Sequence, residues 1–308
     1  VRRVLVLGGG GYLGAPVAAR LAALPGVAVL RGGRGTAVGG AGGAPDLRAD
    51  LGTVPVEALS AGLAALRPDV VVNCAGMAAG PASALAAVNA RGPAALCEAM
   101  ASAVPGARLV QLGSAGEYGP GVPGTALSES ATPRPAGVYG VTKLAGTLAV
   151  TGSGLDAVVL RVFNPVGAGA PASGLPGRLA AAFRAGPPGG VVRTGDLGAY
   201  RDFVDVRDVA EAVALAVLAA GPLPPVVNIG SGRATLVRDL AAELATLCGF
   251  TGTVEESGAG SERSAAVSWV RADIALAASA LGWTPVRTLH DALAALCHSP
   301  VSAAGATA

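Results

Sequence analysis

Short apolar runs alternate along the chain with longer stretches in which apolar residues recur every three or four positions. The runs at 4–7 (VLVL) and 69–74 (DVVVNC) are nearly unbroken, as expected of strands buried on both faces of a parallel sheet. Less regular runs at 27–30, 47–51, 107–112, 157–162 and 226–229 complete the predicted strand set. Leu13, Val17, Leu21 and Leu24 recur at helical spacing, Pro16 is tolerable because it falls in the first turn, and Pro25-Gly26 ends the helix. Helices are predicted over 56–67, 83–103, 138–151 and 235–248. Strand alternating with helix implies a doubly wound α/β sheet with helices on both faces.

Past Asn164 the pattern loosens. A Gly/Pro-rich segment (165–177) precedes a helix and a proline-glycine turn (186–190). The expected organisation is a dinucleotide-binding domain over 1–163, to which 203–231 returns. Residues 164–202 and 232–298 form a smaller C-terminal substrate lobe, and 299–308 a loose Ala/Ser/Gly tail.

Composition narrows the class. With 52% hydrophobic and 14% charged residues the chain is not disordered, and its 308 residues suffice for one large core or two lobes. A net charge of +2 without a basic block leaves nucleic-acid binding no electrostatic footprint. No apolar run reaches membrane-spanning length: that from Val209 to Ala220 is short and contains Glu211. The first apolar run leads straight into a glycine loop, so it reads as a strand and not as a signal peptide, and a cytoplasmic location is expected. Cys74, Cys97, Cys248 and Cys297 show no CxxC spacing and read as small buried thiols in a reducing compartment. His290 and His298 have no ligand cluster around them, so no metal site is expected.

Of 22 basic residues only one, Lys143, is lysine, and Asn and Tyr number four each. A GC-rich genome disfavours these codons, so the survivors mark positions whose chemistry is hard to replace. Lysine offers a compact point charge where arginine offers a wide planar fork.

Gly8, Gly11 and Gly14 form GxxGxxG between the first strand and the first helix, where amide N–H groups and the helix dipole meet a pyrophosphate. The fold class is therefore Rossmann-type. A ribose-binding acid is usual at the end of the second strand. Arg31 stands there instead, with Arg34 close behind, and an arginine pairs with a 2′-phosphate that a carboxylate would repel. NADP(H) is therefore favoured, with NAD(H) possible, and Asp50 is placed to contact the adenine. Tyr139 and Lys143 form YxxxK on one face of the predicted helix 138–151. A free phenol has a pKa of about 10, and a nearby ammonium lowers it, so that Tyr139 can give a proton to an alkoxide forming on a carbonyl. Ser114, just past the strand 107–112, can hold the same oxygen.

These motifs, together with VLVLGGGGYLG (4–14), PDVVVNCAG (68–76), VNARG (88–92), LGSAGEYG (112–119), LRVFNPVGAG (160–169), RDFVDVRDVA (201–210), NIGSG (228–232) and LGWTP (281–285), resemble the extended short-chain dehydrogenase/reductase family, also called the NAD-dependent epimerase/dehydratase family. The resemblance implies Ser114, Tyr139 and Lys143 as catalytic residues. It lays the cofactor along Gly8, Gly11, Tyr12, Leu13, Gly14, Leu51, Cys74, Ala75, Gly76, Asn89, Val166, Tyr139 and Lys143. It implies Asn164, Arg201 and Arg263 as contacts to a nucleotide-sugar diphosphate. Glu117 either lines the substrate site or caps a loop.

Within the family, GSAGEYG and GDLGAYRDFVDVRDV look most like the reductases of nucleoside-diphosphate 4-keto-6-deoxysugars. Sugar dehydratases carry an acidic pair where Ala115 and Gly116 stand, so dehydration is not expected. The expected activity is an NADPH-dependent reduction of a small-molecule carbonyl on a keto-deoxysugar nucleotide, and a homodimer is a family expectation. The segment from Gly76 to Pro81 is short, and Ala266 stands where related reductases carry glutamate. Both imply a wider pocket, which keeps a polyketide or other secondary-metabolite ketone as an alternative. A nucleotide-sugar 4-epimerase and a non-catalytic dinucleotide sensor are further alternatives.

Overall fold

The computed structural model describes residues 1–35, 45–257 and 267–299. Arg263, Ala266 and the tail beyond Ser299 lie outside the described residues. The first part of the chain runs β1 (Arg2–Leu7), α1 (Gly14–Ala22), β2 (Val27–Gly33), β3 (Leu47–Arg48), α2 (Val56–Leu66), β4 (Val70–Asn73), α3 (Ala82–Ala86), α4 (Gly92–Ala103), β5 (Arg108–Ser114), α5 (Val138–Thr151) and β6 (Ala157–Val162). There follow β7 (Pro165–Val166), α6 (Leu175–Ala185), β8 (Val191–Thr194), β9 (Tyr200–Arg201), β10 (Val204–Asp205), α7 (Val206–Leu218) and β11 (Val226–Ile229). The last elements are β12 (Thr235–Leu236), α8 (Val237–Leu247), β13 (Thr253–Glu256), α9 (Ala275–Leu281) and α10 (Leu289–His298).

Seven strands form one sheet in the order β3-β2-β1-β4-β5-β6-β11, and every pair is parallel. The two-residue period of each strand sorts its side chains between two cores. Val4, Val6, Val70, Val72, Val110 and Leu112 face α1 and α7. Leu5, Leu7, Val71, Leu109 and Val159 face α2, α4 and α5. Each such fully buried side chain is worth roughly 1.5–3 kcal/mol, so the sheet is the stable frame of the molecule. A third core joins α6, α8 and α10 around Leu179, Leu240 and Leu293. The strand order reverses between β1 and β4, which opens a crevice at their carboxyl ends.

Three sequence expectations change, and one helix is added to them. The second strand continues past Leu30 to Gly33, because Gly32 passes so close to β1 that a Cβ would stand 2.4 Å from Leu7. The helix expected over 83–103 is divided by a π turn, Ala87–Arg91. Pro93 has no N–H to offer the Asn89 carbonyl four residues back, and the helix widens there. The run after Val206 is α7, a helix with nine of its thirteen residues buried, whose wide apolar face blurs the helical period. Cys248 and Cys297 are joined in a disulfide with Cα atoms 5.5 Å apart, linking the end of α8 to α10, so only Cys74 and Cys97 are free thiols.

Candidate active site

The glycine turn is shaped by what it leaves out. Gly8 has φ +73°, and a Cβ there would stand 2.8 Å from the Ala75 nitrogen. A Cβ on Gly14 would lie 2.0 Å from the Gly8 carbonyl oxygen, and the Gly11 N–H donates to that same oxygen at 2.9 Å. Helix α1 opens with neither a side-chain cap nor an acidic residue in its first turn. The cradle that side chains would fill and the uncapped helix end both fit a dinucleotide pyrophosphate. Tyr12 and Leu13, between Gly11 and Gly14, are partly buried. The Tyr12 ring packs on the third core, its hydroxyl is buried without a hydrogen bond, and burial together with the Asp205 charge pushes its pKa up. Leu13 packs on the first core.

Arg31 lies within β2, two residues before the strand ends at Gly33, in an exposed position with its backbone N–H donating to Asp46 at 2.7 Å, and Arg34 just past the strand is also exposed. Asp50 is half-buried, with one oxygen accepting the Gly52 N–H at 2.9 Å. The Leu51 side chain is buried in the second core. At the end of β4, Cys74 donates its N–H to the Leu7 carbonyl at 3.0 Å, Ala75 lies against Gly8 of the glycine turn, and a Cβ on the exposed Gly76 would stand 3.6 Å from Asn89 Oδ1 and 4.0 Å from Lys143 Nζ. Asn89 is nearly fully buried, and its amide is used within the protein: it accepts from the Met77 N–H at 2.9 Å and donates to the Met77 carbonyl at 2.8 Å and to Thr142 at 3.2 Å. Its side chain therefore straps the loop after β4 to α5. The π turn that presents it was not visible in the sequence.

Helix α5 comes close to this rim through two glycines. A Cβ on Gly140 would stand 2.3 Å from the Gly116 carbonyl, and one on Gly146 would stand 2.1 Å from the Asn89 carbonyl. That approach carries Tyr139 and Lys143 to the strand ends. The Ser114 hydroxyl accepts the Gly116 N–H at 3.1 Å. A Cβ built on Gly116 would stand 3.4 Å from Ser114 Oγ and 3.3 Å from Tyr139 Cε1, so the hydroxyl and the phenol ring flank the same point. Lys143, one helical turn on, is buried and donates to the Leu112 carbonyl at 2.6 Å. Desolvation lowers its pKa, opposed chiefly by the charge of Glu117.

Glu117 does not line the crevice. It is fully buried and belongs to a capping box with Ser114, which is the loop-capping alternative raised by the sequence. Val166 is likewise fully buried, in the third core. Asn164 is half-buried and donates to the Asp202 carbonyl at 2.8 Å. Arg201 donates to the carbonyls of Tyr200 (2.9 Å) and Val267 (2.6 Å) and meets no carboxylate among the described residues; desolvation lowers its pKa. Beside it, Asp202 gathers the N–H groups of Ser231, Gly232 and Ala272 and the Ser231 hydroxyl, although burial still raises its pKa. The sequence did not single out a cleft of about 220 Å³ between α6 and β8, lined by Arg178, Arg193 and Thr194, whose hydroxyl is buried without a partner.

A dinucleotide cradle beside a Ser–Tyr–Lys corner defines the class of NAD(P)-dependent oxidoreductases. The model of the NAD dependent epimerase/dehydratase family matches residues 4–230, and the chain belongs to that family. A dTDP-6-deoxy-L-talose 4-dehydrogenase (NAD(P)(+)) of Kitasatospora kifunensis is 38% identical over 94% of this chain and 93% of its own. MoeE5 in complex with UDP-glucuronic acid and NAD is 28% identical, with a TM-score of 0.79 over 95% of this chain and 97% of that one. RMD from Pseudomonas aeruginosa complexed with NADPH shares the fold at 24% identity, with a TM-score of 0.78 over 96% of each chain.

Proposed function

We propose that this protein reduces the carbonyl of a nucleoside-diphosphate keto-deoxysugar with NADPH, Tyr139 giving the proton. The observation that carries this reading is the convergence of the Ser114 hydroxyl and the Tyr139 ring on Gly116, with the Lys143 ammonium one helical turn behind. NADPH held along Gly8, Gly11 and Gly14, with Arg31 and Arg34 at its 2′-phosphate, supplies the hydride. The Ser114 hydroxyl donates to the substrate oxygen, and the Tyr139 hydroxyl delivers its proton to that oxygen as charge develops. The Lys143 ammonium stabilises the phenolate left behind. Arg201, half-buried and without a carboxylate partner among the described residues, suits a diphosphate. The cationic cleft between α6 and β8 gives the same lobe room for the rest of the nucleotide.

The sugar-nucleotide substrate is supported by the dTDP-6-deoxy-L-talose 4-dehydrogenase relative, similar over nearly the whole chain. The test is loss of reduced-nicotinamide absorbance with a dTDP-linked 4-keto-6-deoxyhexose, together with NADP+ reduction by dTDP-6-deoxy-L-talose. Turnover in both directions is expected. Turnover of polyketide ketones alone would reject the sugar nucleotide.

A further inference from the structure

Glu117, the loop-capping residue, lies beneath the catalytic corner. Its Oε1 accepts the Ser114 N–H at 2.8 Å. Its Oε2 accepts the Thr147 hydroxyl at 2.8 Å and Arg161 Nε at 2.7 Å. Gly113 leaves room for it, since a Cβ there would stand 2.9 Å from Oε1. One carboxylate thus joins the end of β5, which carries Ser114, to α5, which carries Tyr139 and Lys143, and to Arg161 on β6. Arg161 is backed by the Tyr118 ring, 4.6 Å from its guanidinium carbon, and Tyr118 donates to Asn228 at 2.8 Å.

Taking both members of this ion pair out of water costs several kcal/mol each, and packed apolar residues would join the three elements as well or better. What apolar residues cannot supply is a negative charge whose field reaches a buried ammonium. We propose that Glu117 is a positioning residue for the catalytic corner: it fixes the Ser114 strand end against the Tyr139–Lys143 helix, and its charge supports the buried Lys143 ammonium. This rests on the reading of Tyr139 as the acid.

The titratable groups around Lys143 are Tyr139 on its own helix, Cys74 at the end of β4, and Glu117, with Arg161 behind Glu117. Burial pushes the Cys74 thiol up to about 12, so it is neutral at working pH and leaves Glu117 as the anion that acts on the ammonium.

The experiment compares pH profiles of kcat for oxidation of dTDP-6-deoxy-L-talose. Glu117→Gln alone leaves Arg161 buried and unpaired and can fail to fold. The decisive comparison is therefore wild type against Glu117→Gln/Arg161→Met, which removes the anion together with its partner and leaves neither member of the buried pair unpaired, with NADPH binding as the check on folding. Losing an anion eases proton loss from both the ammonium and the phenol. The limb governed by Tyr139 and Lys143 should therefore lie about 1 pH unit lower in the double variant. Coincident limbs, even with a lowered kcat, would make Glu117 purely structural and overturn the proposal. Tyr139→Phe is measured alongside. Wild-type turnover in that variant would reject the acid itself, whereas an inactive Tyr139→Phe with coincident limbs rejects only the role of Glu117.

Discussion

The two ends of the crevice are built on opposite principles. At the glycine turn, close main-chain packing excludes side chains: Gly8 and Gly14 sit where a Cβ would meet backbone at 2.8 Å and 2.0 Å. At the catalytic corner the shape depends on side chains that are costly to bury, the Lys143 ammonium and the Glu117–Arg161 pair. The first end is broken by adding an atom. The second is broken by removing a charge, and removing the Lys143 ammonium can relieve the fold while ending the chemistry. Holding a nucleotide therefore coincides with stability at one end, and turnover opposes it at the other.

The largest contrast is expected from Gly14→Ala, whose methyl group meets the Gly8 carbonyl and opens the turn. NADPH affinity measured by fluorescence should fall about 100-fold or more, with a loss of roughly 2–3 kcal/mol in denaturant unfolding. Next comes Arg31→Ala/Arg34→Ala, which should cut the preference for NADPH over NADH by about 10- to 100-fold in kcat/KM, the worth of charge-assisted bonds to one phosphate. An unchanged preference would remove these arginines from the 2′-phosphate. Smaller is Lys143→Met. Turnover should be lost, yet the unfolding free energy should hold steady or rise by about 1–2 kcal/mol, because the variant no longer buries a cation.

The smallest effect is a slope. The Lys143 pKa is lowered in the folded chain from its ordinary 10.5, so the unfolded chain holds this proton to higher pH. Between the lowered value and 10.5 the unfolded state binds more protons, and stability rises with pH. Lys143→Met should lose that part of the rise in unfolding experiments across the alkaline range.

The two ends also differ in how legible they were. The glycine turn, the seven strands and YxxxK are set by local spacing, and a chain with one lysine draws the eye to Lys143. The inward turn of Glu117 depends on Arg161, 44 residues away on the next strand, and no local pattern carries that distance. The π turn at Asn89 depends on Pro93 together with Gly146 of a neighbouring helix. Helix α7 was obscured by its wide apolar face, and the Cys248–Cys297 pairing by a separation of 49 residues. Tyr12 and Val166 matched family motifs as positions, while their side chains went to the third core.

The central claim is that a phenol above a buried ammonium is the proton source. Its most direct test is Tyr139→Phe, measured for reduction of a dTDP-linked 4-keto-6-deoxyhexose and for NADPH binding on the same preparation. The expected result is turnover lowered by about 10²–10⁴-fold with NADPH affinity changed by no more than about threefold. Turnover near the wild-type rate, with the cofactor bound normally, would contradict it and move the proton source elsewhere.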